Sequence, residues 1–240
     1  MKHQGPIAGI ATHGHWVATA GYDNKVILWD HQTRKALARG VHDHLVNNCA
    51  FSSDGKWLVT ASSDYSARLW ALPSMRLHSV MSDHKDDVDM AVFSPDDQMI
   101  ATCALDRLVR VFDLNGQSLM SFQGHTGNVL SLAWTQNAEY IYSTSVDGTI
   151  RKWDISNGQC AQITDLHVRT DSLEIAPNGT IYAGDDFGRI CIIKGEQIDF
   201  VSAHKAGIKK IVLNATTGML VCLSYDRTMS VWDISSQMMP

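Results

Sequence analysis

The chain repeats one short phrase at regular intervals, and this repetition constrains its fold more than any other feature. Five stretches, SDYSARLW among them, place an aromatic residue six positions after an aspartate. Aspartates recur at positions 23, 64, 106, 147, 186 and 226, which are 39 to 42 residues apart. A period of this length is typical of arrays in which each repeat forms one supersecondary unit. We therefore predict six such units.

The pattern inside each repeat indicates β-strands. Apolar and polar residues alternate in stretches such as TIRKW and WLVTAS, and alternate side chains of a strand point to opposite faces. Stretches rich in Asp, Asn and Gly, such as SSDGK and APNGT, separate the strands and favour tight turns. No long segment has the helical period. We predict about four short strands in each repeat and an all-β fold.

Composition excludes several classes of partner. The formal net charge is −5 and the Lys and Arg residues are scattered, whereas nucleic-acid binding needs a basic stripe. No run of about 18 apolar residues is present, and the first residues have no signal-peptide pattern. We therefore expect no nucleic acid, no membrane contact and a cytoplasmic location. Five cysteines without a C-x-x-C pair indicate reduced thiols: Cys49, Cys103, Cys160, Cys191 and Cys222.

These repeats resemble the WD-repeat (WD40) β-propeller family, in which each blade has four strands. The resemblance covers the whole chain and implies one propeller domain over residues 1–240. The implied repeats are approximately 3–41, 42–83, 84–124, 125–166, 167–203 and 204–240.

The resemblance also implies a structural tetrad in each blade, made of a His, a Ser or Thr, an Asp and a Trp. Three repeats have all four residues: His3, Thr19, Asp23 and Trp29; His42, Thr60, Asp64 and Trp70; and His125, Ser143, Asp147 and Trp153. The third has His84, Thr102 and Asp106 with Phe112, and the sixth has His204, Asp226 and Trp232 with Cys222 at the hydroxyl position. The fifth keeps Asp186, with His167 out of register, Tyr182 at the hydroxyl position and Ile192 at the Trp position.

A recurring His, hydroxyl and Asp resembles a hydrolase triad in composition. A catalytic centre is needed once, however, whereas a set repeated in every blade satisfies buried polar groups. Two H-x-H pairs, His13 with His15 and His42 with His44, have half the ligands of a zinc site and no identifiable third ligand. We predict no catalytic residues, no metal and no cofactor.

Binding is expected on the face where the aspartate-bearing turns emerge. In the family, the residue before the tetrad Asp points to that face; the corresponding residues here are Tyr22, Ser63, Leu105, Val146, Asp185 and Tyr225. Exposed aromatic residues favour protein contacts, although ordinary turn packing explains single apolar residues equally well. Nearby loops are acidic and favour a partner with a basic segment: Asp83, Asp86, Asp87 and Asp89, with Asp43 and Asp165 in equivalent loops.

The last repeat is predicted to lack its outer strand, because only SSQMMP follows its third strand. Three alternatives are open: the chain is part of a longer seven-bladed protein, six blades close with a ragged edge, or a partner donates the strand. The sequence favours a non-catalytic scaffold that binds a protein or peptide. An alternative follows from residues 5–30 and 42–70, which resemble the WD-repeat protein of bacterial toxoflavin (azapteridine) biosynthesis. It implies an accessory or catalytic subunit in that biosynthesis.

Overall fold

The computed structural model describes residues 1–235 of the 240-residue chain. All 23 regular elements in this part are β-strands. The chain divides into two compact units, Met1–Gly124 and His125–Pro240, which are described in turn. Each antiparallel sheet corresponds to one sequence repeat, and consecutive strands are neighbours in it. The prediction of an all-β propeller fold built from six repeats is confirmed.

The first unit contains three four-stranded sheets, here called blades one to three. Blade one comprises β1 (Ile7–His13), β2 (Trp16–Gly21), β3 (Lys25–Asp30) and β4 (Lys35–Val41). Blade two comprises β5 (Val46–Phe51), β6 (Trp57–Ser62), β7 (Ala67–Ala71) and β8 (Arg76–Met81). Blade three comprises β9 (Val88–Phe93), β10 (Met99–Ala104), β11 (Val109–Asp113) and β12 (Ser118–Phe122).

The second unit contains blades four to six. Blade four comprises β13 (Val129–Trp134), β14 (Tyr140–Ser145), β15 (Thr149–Asp154) and β16 (Cys160–Asp165). Blade five comprises β17 (Thr170–Ile175), β18 (Ile181–Asp185), β19 (Arg189–Lys194) and β20 (Gln197–Ser202). Blade six comprises β21 (Ile208–Asn214), β22 (Met219–Ser224) and β23 (Met229–Asp233). Its sheet has three strands within the described residues, and the remaining segment, 236–240, lies outside them.

Blades pack face to face inside each unit. Strand β5 lies against β1 and β9 in the first unit, and β17 lies against β13 and β21 in the second. Buried apolar side chains fill the spaces between the sheets, as the strand alternation predicts. Burial of this surface is the main favourable contribution to folding. Each blade is therefore held chiefly by its neighbours.

The first strand of every blade has a β-bulge near its start. One residue is left out of the pairing with the second strand, as Asp171 is between Thr170 and Ser172. A bulge redirects the side chain of the extra residue. The corresponding residues in the other blades are Ala8, Asn47, Asp89, Leu130 and Lys209. The bulges therefore place six side chains of different chemistry at one structural position.

The turn between the second and third strands is also shared by all six blades. One of its residues adopts a left-handed conformation, which favours Gly or Asn. These residues are Asn24, Tyr65, Arg107, Gly148, Gly188 and Arg227, with φ between 64° and 82°. Five of them directly follow a tetrad aspartate in the sequence. We call this turn the Asp-turn.

The described part of the chain contains no helix of the length and apolarity that a membrane span requires. All five cysteines are free thiols.

Candidate binding surface

Blade two shows how the tetrad residues meet. His42 Nδ1 donates to Asp64 Oδ2 at 2.8 Å, because a carboxylate can only accept. The Thr60 hydroxyl lies 2.7 Å from His42 Nε2 and accepts a hydrogen bond from Trp70 Nε1 at 2.9 Å. Both His42 nitrogens are therefore occupied, and Thr60 is fully buried. These bonds therefore join three parts of the blade: the loop before its first strand, here called the leading loop, its second strand and its third strand.

The protonation states follow from burial and hydrogen bonding. Burial lowers the pKa of His42 and favours the neutral imidazole, although Asp64 opposes this shift. For Asp64, burial favours the neutral acid, but hydrogen bonds from His42 and Ser66 outweigh it and hold the carboxyl pKa well below its usual range. Arg68 adds a contact to Asp64 at 3.1 Å. The pair is therefore a neutral imidazole bound to an ionised carboxylate.

Blades one and four have the same arrangement. In blade four, His125 contacts Asp147 at 2.9 Å and Ser143 at 2.8 Å, and Trp153 donates to Ser143 at 2.8 Å. The corresponding distances in blade one are 2.8 Å for His3 to Asp23, 2.8 Å for His3 to Thr19 and 2.7 Å for Trp29 to Thr19.

Blade three keeps the contacts of His84 to Asp106 at 2.9 Å and to Thr102 at 2.7 Å. Phe112 occupies the Trp position in the core, fully buried, and has no group to donate to the hydroxyl. Its network therefore has three members.

Blade six contains a hydroxyl that the sequence analysis missed. Ser230 Oγ lies 2.8 Å from His204 Nε2 and accepts from Trp232 Nε1 at 2.8 Å. Ser230 is paired with Cys222 across β22 and β23. The hydroxyl that bridges His and Trp therefore lies on the third strand of blade six, whereas in blades one, two and four it lies on the second strand. The sequence signal was a Ser two residues before the Trp, a position held by Arg in blades two to four.

Blade five is displaced by one residue from its predicted register. Gly188 is its left-handed residue, so Phe187 occupies the position of the tetrad aspartate. The strand pairing agrees, because Ile181 pairs with Ile193 as Ile141 pairs with Trp153 in blade four. The loop before β17 places Leu166 at the His position. Asp186 N donates to Arg169 O in blade five, as Val146 N donates to Asn128 O in blade four. Asn128 lies three residues after His125, and Arg169 lies three residues after Leu166.

The tetrad positions of blade five are therefore all apolar. Leu166, Ala183 and Ile193 are buried in one cluster with Ile150 and Leu173. Phe187 points outward and is 69% exposed. Hydrophobic packing replaces the hydrogen-bonded network in this blade.

This register corrects the fifth-repeat assignments. Asp186 is the residue before the tetrad-Asp position, and Asp185 is buried, where it accepts hydrogen bonds from the Phe187 and Arg189 backbones. Asp185 is therefore not an exposed binding residue, because its carboxylate caps the turn from within. Tyr182 and Ile192 each lie one residue before the hydroxyl and Trp positions, which Ala183 and Ile193 occupy. His167 is exposed beside Asp165. Alignment of DDFG with SVDG on their glycines would have revealed the shift.

The Asp-turns and the leading loops lie at the same end of each blade. Backbone hydrogen bonds join them, as Tyr22 N to Pro6 O and Tyr225 N to Gly207 O do. We call this end of each unit the Asp-turn face. Tyr22 is 46% exposed there, Val146 41% and Tyr225 55%. Leu105 is half-buried and Ser63 is buried.

The acidic loop before β9 belongs to the Asp-turn face of the first unit. Asp83 is exposed, and Asp86 and Asp87 are half-buried. No ion pair joins these three to a cation within residues 1–235. The Asp43 carboxylate pairs with Arg68 instead.

The H-x-H pairs have different surroundings. His13 and His15 flank the β1–β2 hairpin beside Asp54 and Lys56, at a small surface cavity. His42 is committed to its tetrad. In the described part of the chain, no three His, Cys, Asp or Glu side chains are grouped as a metal site.

These sheets, turns and tetrads define a β-propeller built from repeated blades. The WD40 family model, described as "WD domain, G-beta repeat", matches residues 2–30, 37–71, 75–113, 116–154 and 195–233. The chain therefore belongs to the WD40 repeat family. Residues 155–194, which include the first three strands of blade five, lie outside the matched ranges.

Curated relatives are similar at modest identity. Periodic tryptophan protein 2 of Arabidopsis thaliana is 27% identical over 79% of this chain and 22% of its own length. Transcription initiation factor TFIID subunit 5 of Caenorhabditis elegans is 27% identical over 70% of this chain and 26% of its own length. The transcriptional corepressor LEUNIG_HOMOLOG of Arabidopsis is 22% identical over 91% and 34%. The chain thus spans about a third or less of each of these relatives.

Proposed function

We propose that the protein is a non-catalytic scaffold whose Asp-turn face holds a protein or peptide partner. One observation carries this proposal: adjacent residues of the same turn are divided between two environments. Asp23 is buried in its tetrad, whereas Tyr22 directly before it is 46% exposed and has no side-chain hydrogen bond among the described residues. Exposed aromatic side chains on a rigid support favour protein contacts.

The tetrads fit a supporting role better than a catalytic one. A nucleophile must reach its substrate, but Thr60 and Ser143 are fully buried and already bonded to their His and Trp partners. The hydrogen bonds therefore stabilise the blade, and these two buried hydroxyls are not exposed to a substrate.

The relatives are consistent with an assembly role. One is by name a subunit of the initiation factor TFIID, and another is a transcriptional corepressor. Nothing in the described residues or these relatives favours a role in toxoflavin biosynthesis. We propose that all six blades act as one domain in the cytoplasm, where the five free cysteines would stay reduced.

The partner of the first unit is proposed to present a basic segment. Asp83, Asp86 and Asp87 lie in one loop of the Asp-turn face without a cationic partner among the described residues. Electrostatic complementarity would speed association and select the partner. Asp86→Asn with Asp87→Asn should weaken the binding of a lysine-rich peptide, and stability should hardly change.

We further propose that β23 accepts a fourth strand. This edge strand ends the blade-six sheet within the described residues, and Met229 and Val231 on it are more than half exposed. An edge strand offers unpaired backbone groups to another strand. Alternate amides of β23 already bond to β22 in the antiparallel pair. Slow hydrogen exchange at the other amides of residues 229–233, which face the open edge, would support the pairing in the intact protein, and fast exchange at these outward amides would contradict it.

The proposed function is tested by quantifying the proteins that co-purify with the protein from its own cells. Tyr22→Ala with Leu105→Ala should lose them while the melting temperature stays unchanged. Ser74→Ala is the matched control, because this exposed residue lies on the β7–β8 hairpin. Unchanged co-purification by the double variant would contradict the proposal.

A further inference from the structure

The Asp-turn face of blades five and six buries two of its aspartates and leaves its basic side chains partly or largely exposed. The carboxylates of Asp171 and Asp185 have almost no exposed surface. Arg169, Arg189 and Lys209 keep about a third to more than half of their side chains exposed. Lys205 and Arg227 are exposed nearby in blade six. The accessible charge is therefore mainly positive, although Asp186 and Asp165 are partly exposed.

Asp171 organises the inner part of this surface. As the bulge residue of β17, its carboxylate accepts a hydrogen bond from Arg169 Nε at 2.7 Å and from the Tyr225 hydroxyl at 3.0 Å. Lys209 Nζ, on the bulge of β21, lies 3.6 Å from the same carboxylate. A buried carboxylate with several donors fixes their positions. Blades five and six thus hold two cations and a tyrosine around one buried acid.

The contact through Nε leaves the rest of the Arg169 guanidinium for a ligand. Its terminal amino groups have no hydrogen-bond partner among the described residues, and Asp186 lies 4.0 Å from Nε. Arg189 repeats this geometry, because its Nε donates to the buried Asp185 at 2.6 Å. A guanidinium with free terminal amino groups matches a carboxylate or a phosphate.

Phe187 adds an apolar contact beside these cations. Its side chain is 69% exposed at the tetrad-Asp position. In the other blades this position holds an aspartate that is hydrogen-bonded to the tetrad His, and blade five has Leu166 at the His position. The Arg189 guanidinium carbon lies 5.2 Å from the centroid of Phe187 and 4.4 Å from that of Phe200. Stacking of this kind holds a guanidinium in place while its edge remains available.

We infer that this surface, formed by Arg169, Phe187, Arg189, Lys209 and Tyr225, binds an anionic peptide segment. Carboxylate or phosphate oxygens accept hydrogen bonds from the two guanidiniums, and an apolar side chain of the same segment covers Phe187. The inference names a partner chemistry for part of the Asp-turn face and so rests on the proposed function. This ligand has the opposite charge to the basic segment that is proposed as the ligand of the first unit.

Binding of three fluorescent peptides to the whole chain tests this inference. One alternates glutamate and leucine, the second replaces glutamate with phosphoserine, and the third, which is neutral, replaces it with serine. The anionic peptides should bind at least tenfold more tightly to the wild type than to Arg169→Gln, since a charge-assisted hydrogen bond is worth about that factor. Tighter binding of one anionic peptide identifies carboxylate or phosphate as the preferred source.

Two further variants guard against a folding defect. Phe187→Ala and Lys209→Ala truncate exposed side chains, so both should melt like the wild type and bind several-fold more weakly. Lys194→Ala is the control, because Lys194 is exposed at the opposite end of β19 from Arg189. It should bind within about twofold of the wild type.

Equal binding by Phe187→Ala, Lys209→Ala and the wild type would overturn the inference. No preference for the anionic peptides over a neutral serine–leucine peptide would also overturn it. The proposed function has a separate readout, because co-purification by Tyr22→Ala with Leu105→Ala tests residues of the first unit only.

Discussion

Blades four and five have the same strand pairing and the same Asp-turn, but different side chains occupy their tetrad positions. Ser143 of blade four joins His125 and Trp153 by hydrogen bonds, whereas Ala183 at the same position of blade five packs among aliphatic side chains. Both blades have the left-handed glycine of the Asp-turn. The turn and the strand pairing therefore do not require the polar tetrad.

The comparison separates two ways to satisfy a buried position. A hydrogen-bonded network is stable only when every member has a partner, and loss of one member leaves the others costly. An apolar cluster has no such requirement. In blade five all four tetrad positions are apolar, so no partly satisfied network is present there, and Phe187 lies at the surface.

The largest expected effect contrasts an aspartate of blade two with one of blade five. Asp64→Ala should lower the free energy of unfolding by about 2–4 kcal/mol, because it leaves His42 Nδ1 and nearby backbone donors without their acceptor. Asp186→Ala should cost less than about 0.5 kcal/mol. Urea denaturation of both variants measures the difference. Equal losses would show that blade five retains a tetrad after all.

A reciprocal exchange of one oxygen atom between blades four and five should destabilise the protein in both directions. Ser143→Ala removes the group that bridges His125 and Trp153 and should cost about 1–3 kcal/mol. Ala183→Ser puts a hydroxyl into an apolar cluster and should cost about 1–2 kcal/mol. Thermal melts of the two single variants provide the test. A stabilising Ala183→Ser change would contradict the apolar assignment of blade five.

The third expected effect depends on pH and concerns Glu174, which replaces Ala133 of blade four in the strand register. Burial raises its pKa to about 7, although Lys210 opposes the shift. The stability from the protonated carboxyl is present below the unfolded pKa near 4.5 and is lost as the pH rises through 7.

Glu174→Gln removes this titration. The variant should melt close to the wild type at pH 4.5 and at a higher temperature than the wild type at pH 8. Melting curves over this range measure the difference, with Glu139→Gln at an exposed hairpin as the control. A constant difference at every pH would rule out the buried titration.

The smallest effect is expected when the missing aspartate is restored to blade five. Phe187→Asp should change the free energy of unfolding by less than about 0.5 kcal/mol, because Leu166, Ala183 and Ile193 offer no hydrogen-bond partner. Chemical denaturation checks this. A clear gain in stability would mean that the Asp position contributes through the turn alone.

The period of the aspartates and the strand alternation predict the six repeats and their β-strands, and the resemblance to the WD40 family implies the propeller architecture. Both depend on local geometry that each repeat contains in full. The blade-five register was wrong because two aspartates are adjacent there, and the chosen one gave the better spacing. Gly188 was the more reliable marker, since a left-handed turn residue constrains the backbone directly.

Cross-strand substitution explains the other miss. Ser230 supplies the bridging hydroxyl of blade six from the strand next to Cys222, and only the pairing of the two strands shows that they are equivalent. The patch around Asp171 was also beyond sequence reasoning. It joins residues 54 positions apart through the Tyr225 hydroxyl, and it depends on which charges are buried.

Blade one provides the most direct test of the central claim that tetrads support the blade while their neighbours bind. Asp23 and Tyr22 are adjacent, so one truncation at each position separates the two roles within a single turn. Melting temperature and co-purified partner, quantified per folded molecule, should be measured for Asp23→Ala and Tyr22→Ala. We predict a lower melting temperature with intact binding for Asp23→Ala, and unchanged melting with weakened binding for Tyr22→Ala. Loss of binding by a stable Asp23→Ala protein would contradict the account.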